Sequence, residues 1–118
     1  MAALEVKNIK NPDEVRTLPK TNGKILNIGE HTLMHATFEP GWKWSECVKP
    51  TVGTPSCQVH HVLYVISGRM IVKMNDGTEK EFCPGDFGVI PPGHDAWVTG
   101  NESCVSIDFA AGKVYGKK

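Results

Sequence analysis

Long apolar runs are missing from this chain of 118 residues. Its longest uninterrupted apolar stretches contain about five or six residues, whereas a helix that crosses a bilayer needs roughly 20. Residues 1–7 also lack the apolar core that a secretion signal requires. We therefore expect a cytoplasmic protein without a membrane partner.

An excess of charge of either sign is missing as well. Thirteen lysines and arginines balance thirteen aspartates and glutamates, which gives a formal net charge of zero. Nucleic-acid binders usually carry a basic face that attracts the polyanion, so the composition predicts no nucleic-acid partner. The chain is 40% hydrophobic and 22% charged, which is typical of a globular protein, and its length predicts a single domain over residues 1–118.

The cysteines lack the spacing of a structural zinc site, because no two of them enclose the two-residue gap of a zinc knuckle. A reducing cytoplasm would keep them as free thiols, so we expect no disulfide bonds. The four residues are Cys47, Cys57, Cys83 and Cys104.

Uninterrupted helical stretches are also scarce, since twelve glycines and eight prolines divide the chain every few residues. Only residues 11–18 predict a helix of one or two turns, with Asn11 as the N-cap and Pro12 at the first helical position. The remainder predicts short strands, and therefore an all-β sandwich or barrel. The predicted strands are 24–28, 31–38, 42–48, 59–66, 70–74, 78–82, 87–90, 96–99 and 104–109.

The clearest local signal is the turn sequence Asn75-Asp76-Gly77. Asp-Gly can adopt the positive φ angles of a tight two-residue turn, and alternating strand-like residues flank it on both sides. The sequence therefore predicts a β-hairpin between residues 69–74 and 78–82.

Two segments resemble the signature motifs of the cupin family. The first ends in Tyr64-Val65-Ile66-Ser67-Gly68, and the second contains Gly85, five further residues and then Pro91-Pro92-Gly93. The resemblance covers about residues 34–109. It implies a cupin-type jelly-roll β-barrel of short antiparallel strands, which commonly holds one metal ion inside.

The resemblance carries the family's metal ligands over only in part. In the first motif, His61 stands where the family has a Glu, and Cys57 and Pro55 stand where it has two His. In the second motif, Ala96 stands at the usual ligand position. His94 lies two residues earlier, on the same face of a strand but shifted by roughly 7 Å. The candidate metal ligands are therefore Cys57, His61 and His94.

The chemistry of these donors favours a divalent transition metal. Imidazole and thiolate suit Zn²⁺ first and also accept Fe²⁺, Ni²⁺ or Cu, whereas the missing Glu disfavours a hard ion. On one continuous strand, Cys57 and His61 would be about 13 Å apart at Cα, too far to share an ion. We therefore expect a turn after residues 54–56 that places them on adjacent strands facing the same interior.

Other interpretations of these residues stay open. A histidine on a half-apolar strand is commonly a hydrogen-bonded core or surface residue, and Cys57 can be a small packed side chain. On a regular strand, His60 should face away from His61 and towards the surface. His31 and His35 share a face and could supply a fourth donor.

Two further groups are candidates for the site or its surroundings. Trp42 and Trp44 should share one face of a strand, which favours barrel packing or a dimer contact over a substrate wall. Trp97 is the third tryptophan. Asp95 could orient the imidazole of His94 or could equally be a solvated turn residue. If the protein is catalytic, His94 with Asp95 is the acid/base candidate, because an imidazole titrates near neutral pH.

The leading prediction is a small metal-binding cupin whose ion lies in the barrel beneath a pocket for a small molecule. If it is an enzyme, the resemblance implies oxygenase- or isomerase-like chemistry, since a bound metal can polarise a carbonyl. The alternative is a non-enzymatic ligand-binding or sensor cupin that has lost its metal, which Ala96 at the usual ligand position favours. The three tryptophans leave metal-free sugar or nucleotide binding as a third possibility.

Two remaining predictions concern the surface of the molecule. A barrel this small has edge strands to cover, and two-fold pairing is usual in the family that it resembles, so we expect a homodimer. The lysine-rich end, with Lys113, Lys117 and Lys118, predicts a frayed and solvated tail.

Overall fold

In the computed structural model, which describes residues 3–117, nine β-strands form two antiparallel sheets. The strands are β1 (Glu14–Leu18), β2 (Thr21–Ile28), β3 (His31–Phe38), β4 (His61–Ser67), β5 (Arg69–Met74), β6 (Glu79–Phe82), β7 (Phe87–Ile90), β8 (His94–Thr99) and β9 (Cys104–Asp108). Six of them form one sheet in the order β1-β2-β3-β9-β4-β7, and three form the other in the order β6-β5-β8. The predicted all-β fold of short antiparallel strands is confirmed.

The interior lies between the two sheets, because alternate side chains of each strand point inward. On β3, Met34, Ala36 and Phe38 are buried while the residues between them are partly exposed. β8 follows the same alternation from His94 onward. Burial of one large apolar side chain contributes about 1.5–3 kcal/mol, so this alternation forms the core and also fixes which side chains can reach the interior.

The helix predicted over residues 11–18 is wrong. Residues Glu14–Leu18 form β1, which pairs with β2 from Glu14 opposite Ile25 to Leu18 opposite Thr21. An isolated helix of one or two turns is marginal in water. The same residues gain a ladder of backbone hydrogen bonds when they extend the large sheet, and that tertiary pairing decides their conformation.

The strand predicted over residues 42–48 is also wrong. This segment contains a short helix, α1 (Trp44–Cys47), which is followed by a second, α2 (Lys49–Val52). Trp44, Cys47 and Val48 are buried at the i, i+3, i+4 spacing of a helix face. Within residues 3–117, neither helix has the length and apolarity that crossing a membrane requires.

The predicted hairpin is present between β5 and β6, but its loop has three residues rather than two. The N–H of Gly77 donates to the carbonyl of Met74 at 2.9 Å, and the N–H of Met74 donates to the carbonyl of Thr78 at 2.8 Å. Gly77 adopts a φ of 94°. A turn followed by a left-handed glycine is the usual three-residue hairpin loop, so glycine alone supplies the positive φ.

The end of the chain is anchored rather than frayed. Lys113 and Lys117 are exposed as predicted, while Lys118 lies outside the described residues. Between them Tyr115 is only 4% exposed and packs into the core. The guanidinium of Arg16 on β1 donates to the carbonyls of Gly112 and Tyr115 at 2.9 and 2.7 Å. We call residues 111–117 the C-terminal turn.

Gly68 ends the first motif and lies between β4 and β5, where the backbone passes close to that of Ser103. Its φ is +74°, and a Cβ there would overlap the backbone carbonyl of Ser103. We expect Gly68→Ala to lower the free energy of unfolding by about 3 kcal/mol or more, from left-handed strain and overpacking together. Urea-induced unfolding measures this loss.

Gly29→Ala is the matched control. Gly29 has a φ of +55°, but a Cβ added there would have no neighbouring heavy atom within 4 Å. The Gly29→Ala variant carries the backbone strain without the overlap, so its free energy of unfolding should fall by only about 1–2 kcal/mol. Equal losses in the two variants would contradict the close approach of Gly68 to Ser103.

Candidate metal centre

Three potential metal donors come together from separate parts of the chain. His61 is the first residue of β4 in the six-stranded sheet, and His94 is the first residue of β8 in the three-stranded sheet. Cys57 follows α2 and forms a β-bridge with His94, in which its N–H donates to the His94 carbonyl at 2.7 Å. The chain bends at residues 55–56, where a turn was expected, but Cys57 and His61 then face each other from opposite sheets rather than from adjacent strands.

The distances between the donor atoms fit a single ion. One donor atom from each of the three residues lies within 4.8 Å of the others, and Cys57 Sγ is 3.7 Å from His61 Nε2. Tetrahedral zinc with bonds of 2.0–2.3 Å separates its donors by roughly 3.3–3.8 Å. All three residues are between 2% and 7% exposed. The cluster therefore needs only small side-chain movements to grip an ion away from bulk water.

The second ring nitrogen of each histidine is held by the protein. Nδ1 of His94 lies 2.8 Å from the carbonyl of Pro91, and because a carbonyl can only accept, this nitrogen carries the proton. Nδ1 of His61 lies 2.6 Å from Asp108 Oδ2. Metal-binding histidines typically donate their other N–H to a carbonyl or a carboxylate, which fixes the ring and the tautomer. In both rings Nε2 is thus left for a ligand, and the residues fit a divalent metal.

Asp108 on β9 is the functional residue that the sequence prediction missed. It is fully buried, and its second oxygen, Oδ1, accepts the N–H groups of Ala110 and Ala111 at 2.9 Å each. Burial alone would raise the pKa of Asp108, but the hydrogen bond and charge of His61 and these two N–H groups hold it below its usual value. The carboxylate is therefore ionised and orients His61.

The pattern of β9 contained a signal for Asp108. Ser106 and Asp108 alternate with Val105, Ile107 and Phe109, so every second residue is polar. In the structure the two polar residues face the interior and are fully buried, while the apolar ones face outward. A polar inner face in a barrel strand indicates a site, and the alternation alone could have suggested it.

The two reactive side chains of the cluster shift each other's proton affinity. Burial raises the pKa of Cys57, but hydrogen bonds and charge from His61 and His94 outweigh it and lower the pKa to about 6. Burial lowers the pKa of His61, but Asp108 and Cys57 outweigh it and raise the pKa to about 9. Thiolate is the form of cysteine that binds metals. The buried Cys104, by contrast, has its pKa raised to about 11 by burial and by the charge of Glu102.

Asp95 makes no hydrogen bond to His94 in the structure, so the expected orienting contact is absent, while the acid/base role of the two residues stays a prediction. One oxygen of Asp95 accepts the N–H groups of Ser45 and Ala96 at 3.1 and 2.8 Å, which directs the carboxylate towards α1. The reason is strand alternation: His94 points into the barrel, and its neighbour must point to the other face. The carboxylate–imidazole pair of this protein is Asp108 with His61 instead.

The other candidate histidines lie away from the cluster. His60 is exposed, as the alternation predicted. His31 is exposed. His35 lies between the buried residues Met34 and Ala36 on β3, so its side chain points to the outer face of the strand. Neither can supply a fourth donor from there.

The cluster lines a small cavity between the two sheets. Its volume is about 30 Å³, which is room for an ion with one or two water molecules but not for an organic substrate. Among the residues that the structure describes, the two buried side-chain polar atoms without a hydrogen-bond partner are Trp42 Nε1 and Ser106 Oγ, and both residues line this cavity. Polar groups buried in this way suit a hydrated ion better than a hydrocarbon.

A larger pocket lies outside this cavity, and Tyr115 helps to separate the two. The outer pocket has a volume of about 350 Å³ and lies beside α2 and the C-terminal turn. Cys57, Trp44 and Tyr115 line both spaces, so they form the partition between them. The ring of Tyr115 is 5.6 Å from that of His61. The sequence prediction missed Tyr115, although a large aromatic ring in a lysine-rich tail is a signal for docking.

Two facing antiparallel sheets of short strands around a buried interior are the architecture of a cupin-type β-barrel. A sequence model of the EutQ-like cupin domain matches residues 38–115, and the chain belongs to this family. Among curated proteins, no sequence matches the chain significantly.

Solved structures with the same architecture include three named proteins. RemF, a polyketide cyclase from Streptomyces resistomycificus, has a TM-score of 0.64 at 19% identity, covering 92% of this chain and 79% of that one. KdgF from Halomonas sp. has a TM-score of 0.62 at 21% identity, covering 92% and 94%. Ectoine synthase from P. lautus has a TM-score of 0.64 at 13% identity, covering 91% and 78%. At these identities the similarity shows the cupin fold alone.

Proposed function

We propose that this cupin domain binds one divalent transition metal, with zinc favoured, through Cys57, His61 and His94, and that it acts on a small molecule next to that centre. The observation that carries the proposal is the convergence of the three donor atoms within 4.8 Å. In addition, Nδ1 of His61 is held by Asp108 and Nδ1 of His94 by the carbonyl of Pro91. One thiolate and two imidazoles form a donor set that zinc prefers, while iron, nickel and copper also accept it.

Three protein ligands are the number found in catalytic zinc sites, whereas structural sites usually have four. When bound, such an ion supplies Lewis-acid polarisation of an oxygen on the small molecule. Asp108 then keeps the proton on His61 Nδ1, and the Pro91 carbonyl keeps the proton on His94 Nδ1. Trp44 and Tyr115 exclude bulk water from the donors. The oxygenase- or isomerase-like reaction class stays a hypothesis, because fold does not determine chemistry.

The outer pocket is the site that we propose for the small molecule. Its volume of about 350 Å³ is within the range of small-molecule sites. Val48, Val52 and Val59 supply apolar wall, and Gln58 and Thr54 supply polar groups. In this arrangement Tyr115 has to move for a bound molecule to reach the ion.

A metal-free ligand-binding or sensor domain is the second candidate. It is favoured by Ala96, which is buried at the position where the resembled motif has its usual ligand, and by the direct contact of Cys57 with His61. That contact pairs the two side chains without an ion. We also propose a cytoplasmic location, which the four unpaired cysteines among residues 3–117 support.

Elemental analysis of protein purified without added metal distinguishes these two candidates. We expect close to one equivalent of a transition metal, and zinc uptake by the metal-free protein. Cys57→Ser, His61→Ala and His94→Ala should each lose most of the bound metal, because two remaining ligands hold zinc far more weakly. His60→Ala is the matched control, since His60 is the exposed neighbour of His61.

Full metal content in the control variant together with loss in the three ligand variants supports the metal centre. A wild-type protein that is metal-free and takes up no zinc would refute it, and the second candidate would then stand.

Tyr115→Ala tests the partition between cavity and pocket. Removal of the ring should open the cavity to solvent, so a chelator in solution should extract zinc severalfold faster than from the wild type. Val114→Ala is the control, because Val114 lies on the same turn but is 52% exposed. Stopped-flow measurement with a chromophoric chelator gives the rates. Equal rates for wild type and Tyr115→Ala would show that Tyr115 does not limit access.

A further inference from the structure

Two buried polar groups in the wall of the small cavity have no hydrogen-bond partner among residues 3–117. They are the indole Nε1–H of Trp42, which is 2% exposed, and the hydroxyl of Ser106, which is fully buried. Both residues line the cavity beside the three candidate metal ligands. Proteins rarely bury such groups unpaired, because the lost hydrogen bonds to water are then not replaced. Two of them in one cavity therefore indicate a bound group that accepts hydrogen bonds.

The two donors come from opposite sides of the barrel and are held firmly. Ser106 lies on β9 of the six-stranded sheet, where it pairs with β3 on one side and β4 on the other. Trp42 lies between β3 and α1, and its carbonyl accepts the N–H of Val98 on β8 at 3.0 Å. The indole also packs against Phe38, with 4.4 Å between the ring centroids. Neither side chain can turn to solvent without disrupting the core.

The lone pairs in the same wall are largely occupied. The Asp108 carboxylate has about four acceptor sites, and the N–H groups of His61, Ala110 and Ala111 take three of them. A water molecule in the cavity would bring two protons that need acceptors, whereas the indole N–H can only donate. An oxygen-rich group without protons meets both donors and needs no acceptor. The wall therefore favours an anion with two oxygens over water.

The size of the cavity limits what this group can be. Its volume of about 30 Å³ is room for roughly two water-sized groups, such as the two oxygens of a carboxylate. Any longer carbon chain has to continue into the outer pocket, which shares Cys57, Trp44 and Tyr115 with the cavity. Among the described residues that line the outer pocket none is acidic, and His60 and Lys117 are basic. The path to the cavity thus suits a small molecule with a negative charge.

We propose that Trp42 and Ser106 bind the carboxylate group of the small molecule, with the indole N–H and the hydroxyl donating to its oxygens. This inference rests on the proposed function, because a cation at the three candidate ligands compensates the charge of the carboxylate. The negative charge of Asp108 is already paired with His61 and two backbone N–H groups. The substrate class is then a small carboxylic acid whose carbon chain lies in the outer pocket. Formate has no such chain and is the smallest probe of this subsite.

Cobalt-substituted protein tests the subsite without an activity measurement. Cobalt(II) binds to the donors that zinc prefers, and its visible absorption changes when another group binds beside it. Formate and butyrate should each change this absorption in a saturable way, whereas formamide, the uncharged analogue of formate, should not. Trp42→Phe and Ser106→Ala should each weaken formate binding about tenfold or more, because each removes a hydrogen bond to a charged group.

Trp97→Phe is the matched control for the loss of an indole N–H. Trp97 lies between the buried residues Ala96 and Val98 on β8, so its side chain faces away from the cavity. This variant should bind formate like the wild type.

A second measurement on the unaltered, zinc-loaded chain covers the case in which a variant fails to fold. In two-dimensional NMR spectra of the indole N–H groups, formate should shift the signal of Trp42 strongly and leave that of Trp97 in place. The new hydrogen bond to a charged acceptor causes this shift. A Trp42 signal that stays in place at saturating formate would overturn the inference.

The cobalt measurements separate failure of this subsite from failure of the metal centre. Cobalt uptake without a response to formate or butyrate would overturn this inference and leave the metal centre intact. Equal formate affinity in the wild type, Trp42→Phe and Ser106→Ala would mean that the ion alone holds the anion, which also contradicts it. A response to formate but not to butyrate would overturn the substrate class. A protein that takes up neither cobalt nor zinc would refute the proposed metal centre, and this inference with it.

Discussion

The hydrogen bonds of the buried Asp108 carboxylate connect the main parts of this molecule. One oxygen holds the His61 imidazole, and the other holds Ala110 and Ala111, where the chain enters the C-terminal turn that carries Tyr115. A buried charge is stable only when it is paired and hydrogen-bonded, and removal of one partner typically costs about 3–5 kcal/mol. The same carboxylate therefore orients a candidate metal ligand and anchors the wall of the cavity. It also makes the inner face of β9 polar, which leaves the apolar residues of that strand on the outside.

Much of the fold could be predicted from local patterns, and the exceptions have physical reasons. The strand predictions 31–38 and 87–90 coincide with β3 and β7, because alternation and flanking turn residues are local signals. Residues 14–18 form a strand only because β2 pairs with them, which is a tertiary effect. Trp42 and Trp44 are both buried, but they do not share a strand face, because Trp44 begins α1, and the helical spacing of Trp44 and Val48 was overlooked. The prediction of a single domain over residues 1–118 stays a prediction.

The candidate site shows where a motif helps and where it does not. The resemblance directed attention to Cys57, His61 and His94, and the structure brings their donor atoms together although the residue types differ from the usual set. Asp108 and Tyr115 lie outside both motifs and reach the site through β9 and the C-terminal turn. The sequence carries signals that both residues are buried, but their contacts with His61 depend on three-dimensional packing, which spacing along the chain does not show. Asp95 was chosen because it is next to His94 in sequence, yet neighbours on a strand face opposite ways.

The zinc affinity of Asp108→Asn tests the central claim most directly. An amide at this position keeps the shape of the side chain but cannot hold the His61 proton with a negative charge. The account predicts zinc binding about 10–100-fold weaker than in the wild type, measured by chelator competition at fixed pH on variants whose circular dichroism shows them folded. Asp95→Asn, which alters the carboxylate beside α1, should bind zinc like the wild type. Unchanged affinity in Asp108→Asn would contradict the account.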